Sequence, residues 1–360
     1  MGKSRISPDA GSDPTATTQQ PAPNTRQRSL RSDLQHMLKT GGDRSGITRV
    51  GSISFPQSNR PPAKWARVAM EPDANDEEHK VEVKAILELM SSTAWNLHKP
   101  CALISVTGAA KALDISEQLK QEFQRGLLEA VSSSDAWVTT GGTSSGVMEL
   151  VGRTLRSLDN AVCIGVVPWR AVQGHDRLQA DEDGIIANYL SLVDGAPKPP
   201  DWQPDWGEPA RLDANHTHFL LADDPSGDRP WGGEIELRSA LEESICPDHA
   251  DNVDMVYVPL VMLVLGGGKG TLDTVLAALK NDRPVVVLPE SGGAARAIYE
   301  VCIRKSTLQR AAESVQAPGE VEQEQFFKQV VESLASIKDY SARYQGARDE
   351  VVPLVSRSWS

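Results

Sequence analysis

The chain has 360 residues, of which 39% are hydrophobic and 24% charged, with a net charge of −12; that composition suits a folded protein of one or two domains. No basic segment is interleaved with aromatics, which argues against a nucleic-acid-binding module. No run approaches the ~20 apolar residues that a membrane-spanning helix needs, which argues against membrane insertion.

Residues 1–47 are rich in Ser, Thr, Pro, Gln and Gly and have almost no periodic hydrophobics, so they read as a disordered arm. The arm is basic: residues 1–69 hold 11 Lys/Arg against four Asp/Glu, and the rest of the chain carries the negative excess. Order is expected from about Thr48. Ile53 to Phe55 and Trp65 to Val68 read as short strands around a proline-containing turn, and Val81, Ala85, Ile86 and Leu89 recur at helical spacing over 79–91. Leu103 to Val106 is a short apolar strand ending at Thr107-Gly108. A helix capped by Ser116 follows, and Ala136 to Thr140 is a second such strand, running into Gly141-Gly142 and a helix over 146–158. Ala161 to Val167 is a third strand, closed by Pro168.

Residues 170–214 are Pro-, Asp- and Trp-rich without a sustained period and read as a partly disordered insertion. Alternation then resumes: strand 217–222, helix 233–245, strand 258–265, a glycine loop, helix 270–281, strand 285–288 and helix 294–303. Val321, Phe326, Phe327, Val330, Val331 and Leu334 mark a further helix over 320–338, within a helical extension after residue 305. Strand–helix alternation with continuous apolar strands predicts an α/β fold with a doubly wound, mostly parallel sheet. Ligands of such sheets sit beyond the carboxyl ends of the strands.

Both glycine loops fall at such ends. The first is Thr140-Gly141-Gly142-Thr143-Ser144-Ser145-Gly146 and the second Gly266-Gly267-Gly268-Lys269-Gly270-Thr271. Glycine lets the backbone turn sharply and approach a ligand, and the helix start that follows offers unpaired N–H groups to an anion. Neither loop is a Walker P-loop, because Lys269 is followed by Gly270 rather than Ser or Thr. Lys269 is a phosphate contact or a solvated loop lysine. The cysteines, Cys101, Cys163, Cys246 and Cys302, form no CxxC and have no histidine cluster at zinc spacing. They are expected to be reduced thiols in a cytoplasmic setting, with no metal site.

These loops resemble those of the SLOG superfamily, whose enzymatic branch comprises the LOG phosphoribohydrolases. The resemblance is longer to the cytosolic SLOG domain of TRPM-type channels. It rests on Leu103 to Gly108 (LISVTG), Ala136 to Gly142 (AWVTTGG), Gly165 to Trp169 (GVVPW), Leu212 to Phe219 (LDANHTHF) and Trp231 to Arg238 (WGGEIELR), in family order over residues 49–305. It implies a Rossmann-like SLOG fold and a ligand-sensing module that, in some members, binds ADP-ribose or cyclic ADP-ribose and gates the pore. No separate cofactor is implied; a homo-oligomer or a channel or effector partner is left open.

Carried over by position, Arg238 matches an arginine implicated in ligand binding, and Trp231 stands for a tyrosine that stacks on the ligand. A second ligand-contacting arginine of the family falls on Gly293, with Arg296 one helical turn later. Thr107, Gly108, Trp169, Asn215, Gly232, Glu234, Ser291 and Gly292 complete the expected site with the two loops. The LOG enzymes have a catalytic glutamate where this chain has Asp273, and their His-x-Arg-Lys segment has no counterpart here. Asp273 therefore carries catalysis only if the chain is a hydrolase. Three readings stand: a nucleotide sensor, a nucleoside-phosphate hydrolase, and an interaction scaffold with a degenerate pocket.

Overall fold

The computed structural model describes residues 46–70, 76–111, 113–179, 185–186, 188–198, 202–203, 206–224, 230–247 and 258–314. Its strands are β1 (Ile47–Ile53), β2 (Ala63–Ala69), β3 (Leu103–Gly108), β4 (Trp137–Thr140), β5 (Cys163–Pro168), β6 (Ile185–Ile186), β7 (His218–Asp223), β8 (Leu260–Leu265) and β9 (Val285–Leu288). They form one nine-stranded sheet in the order β6-β1-β2-β7-β5-β4-β3-β8-β9. Only the β1–β2 pair is antiparallel, so the sheet is mostly parallel, as the alternation predicts.

The helices are α1 (Asp76–Ser91), α2 (Glu117–Ser134), α3 (Gly146–Leu155), α4 (Tyr189–Val193), α5 (Gly233–Ile245), α6 (Lys269–Lys280) and α7 (Gly293–Ser314). Ser116 caps α2 by accepting from the Leu119 N–H at 3.2 Å, and Asp135 ends it in the left-handed conformation. On one face of the sheet, Phe123, Leu127 and Val131 of α2 and Val147, Val151 and Leu155 of α3 bury against Ile104, Val106 and Val138. On the other, α1 and α5 cover β2, β7 and β5 through Ile86, Leu89, Leu237 and Leu241, while α6 and α7 cover β8 and β9. The strand order reverses at β3: the chain leaves it through α2 on one face toward β4, and β8, followed by α6 on the opposite face, lies on its other side. The crevice at the carboxyl ends of β3 and β8 is therefore the topological switch point of the sheet.

Three sequence expectations shift. The first strand begins at Ile47 and ends at Ile53, two residues before the expected Phe55; its polar, glycine-containing segment has no apolar run to mark it. The 170–214 insertion is more ordered than its composition suggests, holding β6 and α4. Leu178, Tyr189 and Val193 are buried with Trp65, Phe219 and Leu221 in a core of their own on the α2–α3 face. Helix α7 continues to Ser314, past the predicted 303. The predicted helix over 320–338 and nearly all of the 1–47 arm lie outside the described residues.

Candidate functional site

The structure brings both glycine loops to the carboxyl edge of β4, β3, β8 and β9. The Thr271 hydroxyl donates to the Gly108 carbonyl at 3.1 Å, and the Ala109 N–H donates to the Leu265 carbonyl at 2.9 Å. These bonds close the switch point at its base. On the first-loop side, the Val147 N–H donates to the Ala109 carbonyl at 2.9 Å, so the start of α3 is partly satisfied by the β3 loop. Thr107 is buried beneath this junction.

The second loop is splinted by the turn after β9. The Gly266 N–H donates to the Ser291 hydroxyl at 2.7 Å, and the Ser291 hydroxyl donates in turn to the Leu288 carbonyl. The N–H groups of Ala294 and Ala295, at the start of α7, donate to the carbonyls of Gly267 and Gly266 at 3.0 and 3.1 Å. Gly292 and Gly293 both have positive φ. At Gly293 (φ +54°) a Cβ would lie 2.5 Å from the Gly267 carbonyl oxygen. No arginine fits there without moving the loop. The Arg296 guanidinium pairs with Glu300 on the exposed side of α7 at 2.8 Å.

The start of α6 differs from those of α3 and α7. Gly268 is its N-cap and has no side chain to cap it, and Gly268, Lys269 and Gly270 are exposed at the switch point. Among the described residues no side chain caps this first turn, so its N–H groups form an open, partly positive helix end. Lys269 reaches back to Asp273 at 3.3 Å, an exposed i,i+4 pair that places the Asp273 carboxylate on the flank of α6.

The first loop is held from below and behind. The Thr140 hydroxyl accepts from the Gly142 N–H at 2.8 Å and is 2.7 Å from Nε2 of His216. Nδ1 of His216 lies 2.8 Å from the Asp213 carboxylate, and the Asp213 N–H donates to the Gly142 carbonyl at 3.0 Å. The Ser144 N–H donates to the Arg211 carbonyl at 2.7 Å, and Thr143 bridges to Leu212. The 211–216 segment is thus a brace along the whole Gly141–Ser144 turn. Asn215 belongs to that brace: it is buried, and its N–H donates to Asp213 at 3.1 Å. Burial by itself lowers the His216 pKa, but the adjacent Cys163 sulfur and the Asp213 carboxylate outweigh it and push the imidazole up to about 10. A protonated ring donates from both nitrogens, matching its two acceptors.

His218, two residues on, behaves in the opposite way. It is buried against Trp95, with ring centres 4.9 Å apart, and burial reinforced by the charge of Lys64 holds its pKa down at about 3. The folded protein keeps this ring neutral while the unfolded chain protonates it below its ordinary value of 6.5. Its contribution to stability is therefore present above pH 6.5 and lost as the pH falls toward 3. His218→Phe is expected to flatten the acid side of the stability profile, so that urea midpoints measured from pH 7 to pH 5 fall less in the variant than in the parent.

The remaining expected residues fall into two groups. Arg238 is buried under the carboxyl halves of β3 and β4. Its guanidinium donates to Glu242 at 2.9 Å, to the Ser105 hydroxyl at 2.8 Å, and to the carbonyls of Val106 and Thr139 at 3.1 Å each. The i,i+4 pair with Glu242 is an interior brace rather than a surface bridge. Glu242 also accepts from the Thr139 hydroxyl at 2.5 Å. Trp169 is likewise interior, its ring covered by the Arg67 guanidinium at 4.4 Å, with Arg67 in turn held by Asp223. In the second group, Trp231 is 40% exposed at the carboxyl edge ahead of α5, next to the exposed Gly232. Glu234 accepts from the Gly232 N–H at 2.7 Å and so closes the start of α5; burial raises its pKa.

Ser105, Thr139, Asp213 and Glu242 are the structural members of the site that the motifs did not single out. The available signal was a polar residue inside an otherwise apolar strand, at Ser105 and Thr139, both fully buried.

Comparison with known proteins identifies relatives of this chain. The family model described as SLOG in TRPM matches residues 74–330. The chain is 32% identical over 260 residues to transient receptor potential cation channel subfamily M member 2 of Mus musculus, covering 70% of this chain and 16% of the relative. It is 35% identical over 230 residues to the subfamily M member-like 2 channel of Nematostella vectensis, covering 61% of this chain and 14% of the relative. To the trpm channel of Drosophila melanogaster it is 31% identical over 252 residues, 68% of this chain and 11% of the relative. The chain thus spans less than a sixth of each of these relatives. Among the described residues no helix is long and apolar enough to cross a membrane.

Proposed function

This chain belongs to the SLOG-in-TRPM family, and from that premise we propose that it is a ligand-sensing module that takes an ADP-ribose-like nucleotide at the switch point. The observation that carries this reading is the uncapped first turn of α6 at the β3–β8 crevice, flanked by two braced glycine loops. The diphosphate sits over the N–H groups of Gly268, Lys269 and Gly270, where the helix end supplies partial positive charge and Lys269 a full one. Trp231 offers an open indole face to a base. In this reading Arg238 touches no ligand; it fixes the strand ends from which the loops spring.

The loop also provides its own test. A Cβ at Gly270 would meet nothing within 4 Å, and alanine is the better helix former, so Gly270→Ala should leave Tm unchanged or slightly higher. The added methyl would stand where the backbone must approach a phosphate. Calorimetric titration of ADP-ribose, cyclic ADP-ribose, NAD and AMP into the full chain, with product analysis, is expected to give saturable binding of an ADP-ribose species recovered intact. Gly270→Ala should weaken that binding by roughly tenfold or more, about 1.4 kcal/mol. Release of a free base would establish a hydrolase instead, and absence of heat with every nucleotide would leave an interaction scaffold.

A further inference from the structure

A parallel sheet is normally covered on both faces; among the described residues, cover of one face is incomplete over β8 and β9. On the α2–α3 face, cover thins away from β3: Phe123, Leu127 and Val131 of α2 bury with Ile104, Val106 and Leu265, while Val261, Leu263 and Leu288 pack only at the margin of that cluster. Beyond them the side chains of Val261 and Leu263 on β8 are partly exposed, and Val286, paired in register with Leu263 on the edge strand β9, is 47% exposed. Leu288 continues the strip. The opposite face of the same two strands is sealed by α6 and α7. What remains is an apolar two-strand surface at a sheet edge, of the kind that folded chains cover.

We propose that the segment 321–334 of this same chain docks as a helix on the β8–β9 strip, beside α2. Helix α7 starts at the carboxyl edge of the sheet and has 22 residues, about 33 Å of helix against about 13 Å for the four residues of β9. It therefore delivers the chain beyond the opposite edge of the outermost strand. Residues 315–320 include Pro318-Gly319, a helix stop, and can span about 20 Å. That is the distance from a layer on one face of a sheet to a layer on the other, at about 10 Å for each packing step. Phe326, Phe327, Val330, Val331 and Leu334 then recur at the spacing of one helical face. Fourteen residues make about 21 Å of helix, enough to cover the strip. Both apolar surfaces are covered by one turn of the chain around the edge strand.

Two measurements on the full chain test this. A benzophenone amino acid placed at position 286 and irradiated is expected to give a monomeric product with its adduct in the 321–334 peptide. A covalent dimer, or a monomer with no adduct in that peptide, overturns the proposal. Separately, Val286→Glu puts a charge into the contact and should speed tryptic cleavage after Lys328 by roughly tenfold, because cleavage follows the population of the undocked form. Tyr299→Glu, an equally exposed change on α7, should not. Unchanged cleavage in Val286→Glu, with the fold intact by circular dichroism, also overturns it.

Discussion

Arg238→Ala is expected to destabilise the domain by about 3–5 kcal/mol, the usual cost of removing one partner from a buried ion pair. In a domain of this size that is a fall in Tm on the order of 10 °C. The loss has two parts. Glu242 keeps its charge in the interior with only the Thr139 hydroxyl left to it, and the carbonyls of Val106 and Thr139 and the Ser105 hydroxyl each lose a charged donor. The double variant Arg238→Met with Glu242→Leu should recover much of the loss, since an apolar pair of similar volume avoids the unpaired charge. Thermal and urea unfolding of the three proteins would read this directly. A single variant as stable as the parent would mean that the guanidinium makes no net contribution inside.

This expectation bears on how Arg238→Ala is used as a probe of binding. The residues it holds, Val106 and Thr139, immediately precede Thr107-Gly108 and Thr140-Gly141. Loss of the brace loosens both strand ends, so weakened nucleotide binding in that variant would not identify a ligand contact. Gly270→Ala separates the two effects, because it alters the space over α6 without touching a bond in the interior.

The difference between those positions also marks what the sequence could convey. The continuous apolar strands, the Ser116 cap and the two strand–glycine–helix junctions were legible because each is set by residues adjacent in the chain. The role of Arg238 was not, because Glu242 is four residues away but Ser105 and Thr139 are 133 and 99 residues away. Nothing in WGGEIELR says that the helix turns its arginine into the sheet. Trp169 belongs to the GVVPW match, and nothing in that motif says that Arg67 from β2 covers its ring. β6 and α4 were missed for a different reason: at two and five residues they are too short to show a period, and burial of Tyr189 and Leu178 against β2 and β7 holds them. A motif match located residues at the strand ends without distinguishing the exposed ones from those that hold the floor.

Asp213→Asn should produce the second large effect, and one that depends on pH. Asp213 gives its carboxylate to His216 and to the Asn215 N–H, and its own N–H to the Gly142 carbonyl. The asparagine keeps the shape but removes the counter-charge of an interior imidazolium, so a loss of about 3 kcal/mol or more is expected at neutral pH. The folded pKa of His216 is raised, from 6.5 to about 10. Its stabilising contribution is therefore fully present below pH 6.5 and is lost as the pH rises through 10. In the variant only the Cys163 sulfur still opposes burial, so the ring holds its proton less tightly. The stability gap between parent and variant should consequently be widest near pH 6 and narrow steadily toward pH 10, as measured by urea unfolding across that range. A gap that stays constant would mean that the imidazole is neutral in the parent as well. Because the Thr140–His216–Asp213 chain carries the Gly141–Gly142 turn, the same variant links the protonation of one buried ring to the shape of the first glycine loop. Nucleotide binding in the parent should then weaken on the alkaline side over the same interval in which the stability gap closes.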